Sequence, residues 1–202
     1  MRISSCYTVF KFPTQEFPRQ LNQKTSALVL IDLQKGVLAM PVAPHAAAAV
    51  YDRSARLAQR FRSAGAPVVW VRVSFSQDRA DAPQSTVDQP ADYASLPRGW
   101  DEFPEPPPPS DLVITKRQWG AFYGTELDLQ LRRRGVHTIV LGGIATNIGV
   151  ESTARSAAEH GYELVIPEDL CSTFSAEMHA FSFTHILPRL ARVTQSDAIV
   201  LR

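Results

Sequence analysis

Cysteine is almost missing from this sequence. Of 202 residues only Cys6 and Cys171 are thiols, too few for a disulfide framework, and neither lies in a Cys-x-x-Cys pair. An excess of charge is missing too. The 21 Lys and Arg stand against 20 Asp and Glu, a formal net charge of +1. That balance removes the electrostatic reason to expect DNA, RNA or an anionic membrane as partner. No apolar run approaches the roughly 18 residues needed to span a bilayer. Residues 1–20 mix Tyr, Phe and Pro with scattered charges. Without a basic start and an apolar centre they do not read as a secretory signal, and a cytoplasmic address is expected. No internal repeat is present. The rest is ordinary for a globular protein, 45% hydrophobic and 20% charged, and long enough to bury a proper core as one domain.

Short apolar runs recur along the chain. Ala27-Leu28-Val29-Leu30-Ile31 is continuous and partly β-branched, as a strand buried on both faces should be. Further runs fill residues 67–73, 112–115, 137–141 and 163–166, with a weaker sixth at 191–193. Helical patterns separate most of them. Val50, Leu57, Ala58 and Phe61 fall at helical spacing before Gly65, and Leu127, Leu129 and Leu131 precede Gly135. The cluster Arg132-Arg133-Arg134 reads as a helix C-terminus complementing its dipole, since no aromatic or basic patch extends it. A third helix is expected from Ile148 to His160, closed by Gly161. Alternating strand and helix predicts an α/β fold of three layers, a mostly parallel, doubly wound six-stranded sheet with helices on both faces. Residues 74–110 are polar and end in Pro106-Pro107-Pro108-Pro109, the composition of a lid, a binding loop or a subunit contact.

Ligands of such sheets bind outside the carboxyl ends of the strands. Asp32 follows the first strand directly, where desolvation raises a carboxyl pKa unless a cation compensates, and Lys116 at another strand end is a candidate cation. Such a pair can move a proton and then hold the resulting charge, although an ordinary strand-end ion pair fits the same two residues equally well. Gly142-Gly143 suggests a sharp turn with close approach to a ligand. The following helix would aim its positive end at the same spot, with Asn147 as N-cap.

Three segments carry a resemblance. Asp32-x-Gln34, the run Lys116-Arg117-Gln118-Trp119-Gly120-Ala121-Phe122-x-Gly124-Thr125, and the run Gly142-Gly143-Ile144-Ala145-Thr146-Asn147-Ile148-Gly149-Val150-Glu151 resemble, in order and spacing, those of the isochorismatase-like hydrolases, or cysteine hydrolases. The similarity spans roughly residues 26–200, so a domain at 23–202 is expected behind an N-terminal extension at 1–22. The resemblance implies Asp32 and Lys116 as catalytic residues. It implies Gln34, Arg72, Phe122, Ile144, Ala145, Asn147 and Gly149 around the substrate or a developing oxyanion, and a cis Ile144–Ala145 peptide. It also implies a homo-oligomer, dimer or tetramer, with residues 74–110 or the 148–160 helix near the interface.

The sequence departs from the cysteine-dependent members at one decisive place: Gly149 occupies the position of their nucleophile. A glycine forms no thioester. Cys171 reads as a packed thiol, and no His is placed to activate Ser152 or Thr153. True isochorismatases, which the chain resembles in this respect, also carry Gly there and hydrolyse a vinyl ether without a covalent intermediate. Their Asp protonates the substrate's methylene carbon. Their Tyr-Thr-Ala-Gln segment after the second strand is absent, however, and this chain reads Arg72-Val73-Ser74-Phe75, leaving Arg72 or Arg117 to hold a substrate carboxylate. No cofactor is expected, since Gly-x-Gly-x-x-Gly is absent, and no metal, since His45, His137, His160, His179 and His185 are dispersed and the Asp-x-His-x-x-His of zinc-containing nicotinamidases is missing. Two functions remain open: a cofactor-free hydrolase of a small, anionic organic molecule, or a binding protein that recognises a ligand without turnover.

Overall fold

The computed structural model describes residues 20–202. Each apolar run of the sequence is a strand. In chain order the strands are β1 (Gln20–Leu21), β2 (Ser26–Ile31), β3 (Val68–Val73), β4 (Leu112–Lys116), β5 (Thr138–Ile144), β6 (Glu163–Pro167), β7 (Cys171–Ser172), β8 (Arg192–Thr194) and β9 (Val200–Leu201). The main sheet runs β4-β3-β2-β5-β6-β8 with every pairing parallel, and β7 pairs with β5 as a seventh strand. The expected six strands are thus present, and a seventh joins them.

The α-helices are α1 (Lys35–Leu38), α2 (Ala47–Ser63), α3 (Leu127–Arg133), α4 (Glu151–Glu159) and α5 (Ala176–Phe181). Strand periodicity divides β2 cleanly between two cores. Ala27, Val29 and Ile31 pack with residues of α3 and α4 on one face, while Leu28 and Leu30 pack with Val50, Leu57 and Phe61 of α2 on the other. Burial of both faces explains the unbroken apolar run, each such side chain contributing about 1.5–3 kcal/mol. Helix α2 closes as its glycine suggested. Gly65 takes φ +71°, its N–H donates to Arg62 O, and Ala66 N–H donates to Phe61 O, which satisfies two terminal carbonyls. The same pair of bonds ends α3 at Gly135 and α4 at Gly161.

Two expectations change. Gly142 and Gly143 do not turn: both extend β5. A Cβ on Gly143 would lie 2.1 Å from Ile31 O, and one on Gly142 would lie 2.8 Å from Leu170 Cβ, so close packing of neighbours demands both glycines. The helix after β5 starts earlier than expected, as a π-helical turn over Thr146–Val150 that runs into α4. Asn147 therefore lies inside that turn and is not its N-cap. Part of the expected extension touches the sheet region. Gln20 and Leu21 pair with Val200 and Leu201, and Leu21 is buried in the α2-side core. The remainder of the expected extension, 1–19, lies outside the described residues.

Candidate active site

Chain direction gathers the site at the carboxyl edge of the sheet. Asp32 follows β2 in the left-handed region, φ +54°, which a short polar side chain tolerates, and its N–H donates to Val71 O at 2.9 Å. Lys116, the last residue of β4, is 2% exposed. Its Nζ lies 2.7 Å from Asp32 Oδ2 and donates to Trp119 O at 2.6 Å. The other carboxylate oxygen, Asp32 Oδ1, is buried and has no hydrogen-bond partner among the described residues. A buried acceptor without a partner costs free energy in the folded protein.

Burial pushes the Asp32 carboxyl pKa up, the Lys116 ammonium pulls it down, and burial prevails. The pair therefore favours a proton on Asp32 more than a free carboxyl would.

Gly149, in the π-helical turn after β5, faces this pair. A Cβ built there would lie 3.2 Å from Asp32 Oδ2, 3.3 Å from Lys116 Nζ and 2.9 Å from Ile31 Cγ2. The missing side chain is thus missing at the centre of the site. The Ile144–Ala145 peptide just upstream is cis, as the resemblance implied. Thr153, one turn further, fastens the assembly: its Oγ1 donates to Gly149 O at 2.7 Å and accepts from Ala121 N–H at 3.1 Å. It ties the segment after Lys116 to the turn carrying Gly149, a role unrelated to nucleophilic attack.

The family Isochorismatase domain matches residues 26–198. This chain belongs to the isochorismatase family of hydrolases. It is 54% identical over 183 residues to the uncharacterised isochorismatase family protein YecD of Escherichia coli O157:H7, spanning 90% of this chain and 97% of that protein. It is 48% identical over 174 residues to the uncharacterised family protein YwoC of Bacillus subtilis strain 168, spanning 84% and 89%. Among solved structures, an isochorismatase family protein from Burkholderia thailandensis superposes with a TM-score of 0.85 at 45% identity, covering 89% of this chain and 95% of that one.

Not every residue implied by the isochorismatase resemblance reaches the Asp32–Lys116 pair. Gln34 is fully buried and spent on structure, donating to Val73 O at 3.0 Å and accepting from Val73 N–H at 2.9 Å. Phe122 belongs to the core, stacked on His160 and packed beside Tyr162. Arg72 shares the sheet face of Trp70, opposite Lys116, and its Nε donates to Thr115 Oγ1 at 3.3 Å. Arg117 is engaged by Asp81, 2.5 Å away. Asn147 Oδ1 accepts from Thr173 Oγ1 at 2.6 Å. Cys171 is a packed thiol, pushed far up in pKa by burial.

The long loop of residues 74–110 is anchored rather than loose. Trp100 is buried, stacks on Phe75, and its carbonyl accepts from Gly36 N–H at 2.8 Å. Between this loop and Gln118–Gly120 opens a cavity of about 440 Å³, lined by Val87, Pro90, Tyr93 and Trp119 among others. The histidines are not all dispersed in space: His45 and His179 converge on Glu168, and the spacing of 45, 168 and 179 in the chain holds no signal for it.

Proposed function

We propose that the protein is a cofactor-free hydrolase of a small, anionic organic molecule, acting by proton transfer from Asp32 without a covalent enzyme intermediate. The observation that carries this reading is the unpartnered, buried Asp32 Oδ1 beside a glycine where related hydrolases hold their thiol. Burial pushes the Asp32 carboxyl pKa up, which favours the proton-donating form, and Lys116 stands 2.7 Å away to hold the carboxylate once a proton has left.

For a vinyl ether the steps balance as follows. Asp32 protonates the terminal methylene carbon, and the double-bond electrons form the new C–H bond. The oxocarbenium that remains is attacked by water. The adduct collapses to a carbonyl and an alcohol, and the proton lost from water returns to Asp32. Anionic substrates suit the positive amino end of the helical turn at Thr146 and the nearby ammonium.

The test is a panel of vinyl ethers, amides and carbamoyl compounds, with Asp32→Asn beside the wild type. An amide cannot deliver the proton, so turnover of the cleaved class should fall by at least about 10²-fold, the lower range for general acid catalysis. A ligand that binds while wild type and Asp32→Asn stay equally inert would replace catalysis with simple recognition.

A further inference from the structure

Away from the Asp32–Lys116 pair, three side chains from separate elements bring metal-type donor atoms to one point. His45 comes from the segment before α2, Glu168 from the short helical turn directly after β6 and His179 from α5. Glu168 Oε1 lies 2.9 Å from His45 Nε2 and 2.8 Å from His179 Nε2, and the three donor atoms all fall within 4.8 Å of one another. The two imidazole rings stand edge to face, at 85° with centroids 6.0 Å apart, so their nitrogens approach the carboxylate from different directions.

We propose that His45, Glu168 and His179 form a binding site for a divalent cation of the zinc class. Two imidazoles and one carboxylate are a ligand set that suits zinc and its neighbours, with a water completing four-coordination. Metal–ligand bonds of about 2.0–2.2 Å at tetrahedral angles separate donor atoms by about 3.3 Å, so each N···O pair has to open by about half an ångström. The site can supply that movement. His45 lies outside any helix or strand, and the side chains of His45 and Glu168 are each about a quarter exposed, which also gives an ion its way in.

The surroundings hold each ligand from behind. Thr146 Oγ1 lies 2.9 Å from His179 Nδ1, fixing that ring so that Nε2 points at the site. Gln195 Nε2 donates to Glu168 Oε2 at 3.3 Å, leaving Oε1 to the shared point. Ser172 Oγ donates to the His45 carbonyl at 2.7 Å and fixes its segment. A hydrogen-bonded His–Glu–His cluster without metal accounts for the short contacts as well, and it is the alternative the experiment must separate. The bound ion would join three elements beside Thr146, the first residue of the helical turn that carries Gly149. This inference stands apart from the proposed chemistry of Asp32.

The full chain, stripped with a chelator and returned to buffer, is titrated with Zn²⁺ by calorimetry and with Co²⁺ by visible absorption. Saturable binding of one Zn²⁺ per chain is expected, with a Co²⁺ d–d band of a low-coordinate site. His45→Ala and Glu168→Gln should each weaken Zn²⁺ binding by at least about tenfold and abolish the band. His45→Ala is the safer variant to fold, and its far-ultraviolet circular dichroism should match the wild type. No saturable Zn²⁺ binding, or binding that persists undiminished in both variants, overturns the site and leaves the hydrogen-bonded cluster.

Discussion

Burial and the Lys116 ammonium pull the Asp32 proton in opposite directions, and their balance sets the pH behaviour expected of the site. The folded pKa lies above the ordinary 3.8, so the proton stabilises the fold fully below that value and the benefit is lost as pH rises through the folded pKa. If the protonated form is the working acid, kcat/KM should hold on the acid side and fall along the same basic limb. Lys116→Met removes the group that lowers the pKa. A pH–rate profile of that variant should show lower activity with its basic limb moved to higher pH, and an unmoved limb would detach the limb from Asp32. Gly149 gives a second residue-level expectation. Gly149→Cys sets a Cβ 2.9 Å from Ile31 Cγ2, closer than side-chain carbons pack, so chemical denaturation should show a loss of about 1–3 kcal/mol. The new thiol, beside Lys116 Nζ and on a helical first turn, should react with iodoacetamide faster than the buried Cys171.

At the scale of elements, the site depends on clasps between segments far apart in the chain. Thr153 links the Ala121 amide to the Gly149 carbonyl, and Gln34 links the turn after β2 to Val73 on β3. Thr153→Val keeps the shape and removes both bonds. It should cost about 1–3 kcal/mol in chemical denaturation, because a buried N–H is left unpaired, and it should lower kcat more than it raises KM by loosening Gly149 against Asp32. A loss confined to stability would reduce Thr153 to a packing role. The glycines of β5 show how an element's sequence can mislead. Gly142-Gly143 looks like a turn in one dimension, yet the residues are glycine because the Ile31 backbone and Leu170 press on them from outside the strand.

For the whole molecule, the homo-oligomer that the resemblance implies can be tested at its exposed apolar side chains. Trp119 and Tyr123 project beside the Lys116 segment, Tyr123 at 84% exposure, and Phe174, Met178 and Phe181 crowd around α5. Trp119 faces the loop of residues 83–93 across the cavity. Light scattering at micromolar concentration should find a dimer or larger, and Tyr123→Ser with Trp119→Ser should shift it toward monomer; a monomeric wild type would remove the assembly. The parallel α/β architecture, the glycine-closed helices and the Asp32–Lys116 pair were all legible in the amino-acid sequence. Those features rest on periodicities and strand-end positions that neighbours along the chain express. The packing of the folded chain shows that Gln34 bonds to Val73, that Phe122 lies in the core, that Arg72 faces away from Lys116, and that His45 and His179 meet at Glu168. Each of these depends on which residue from a distant segment arrives at a given face. One-dimensional spacing cannot carry that information, because parallel crossovers bring together residues more than a hundred positions apart.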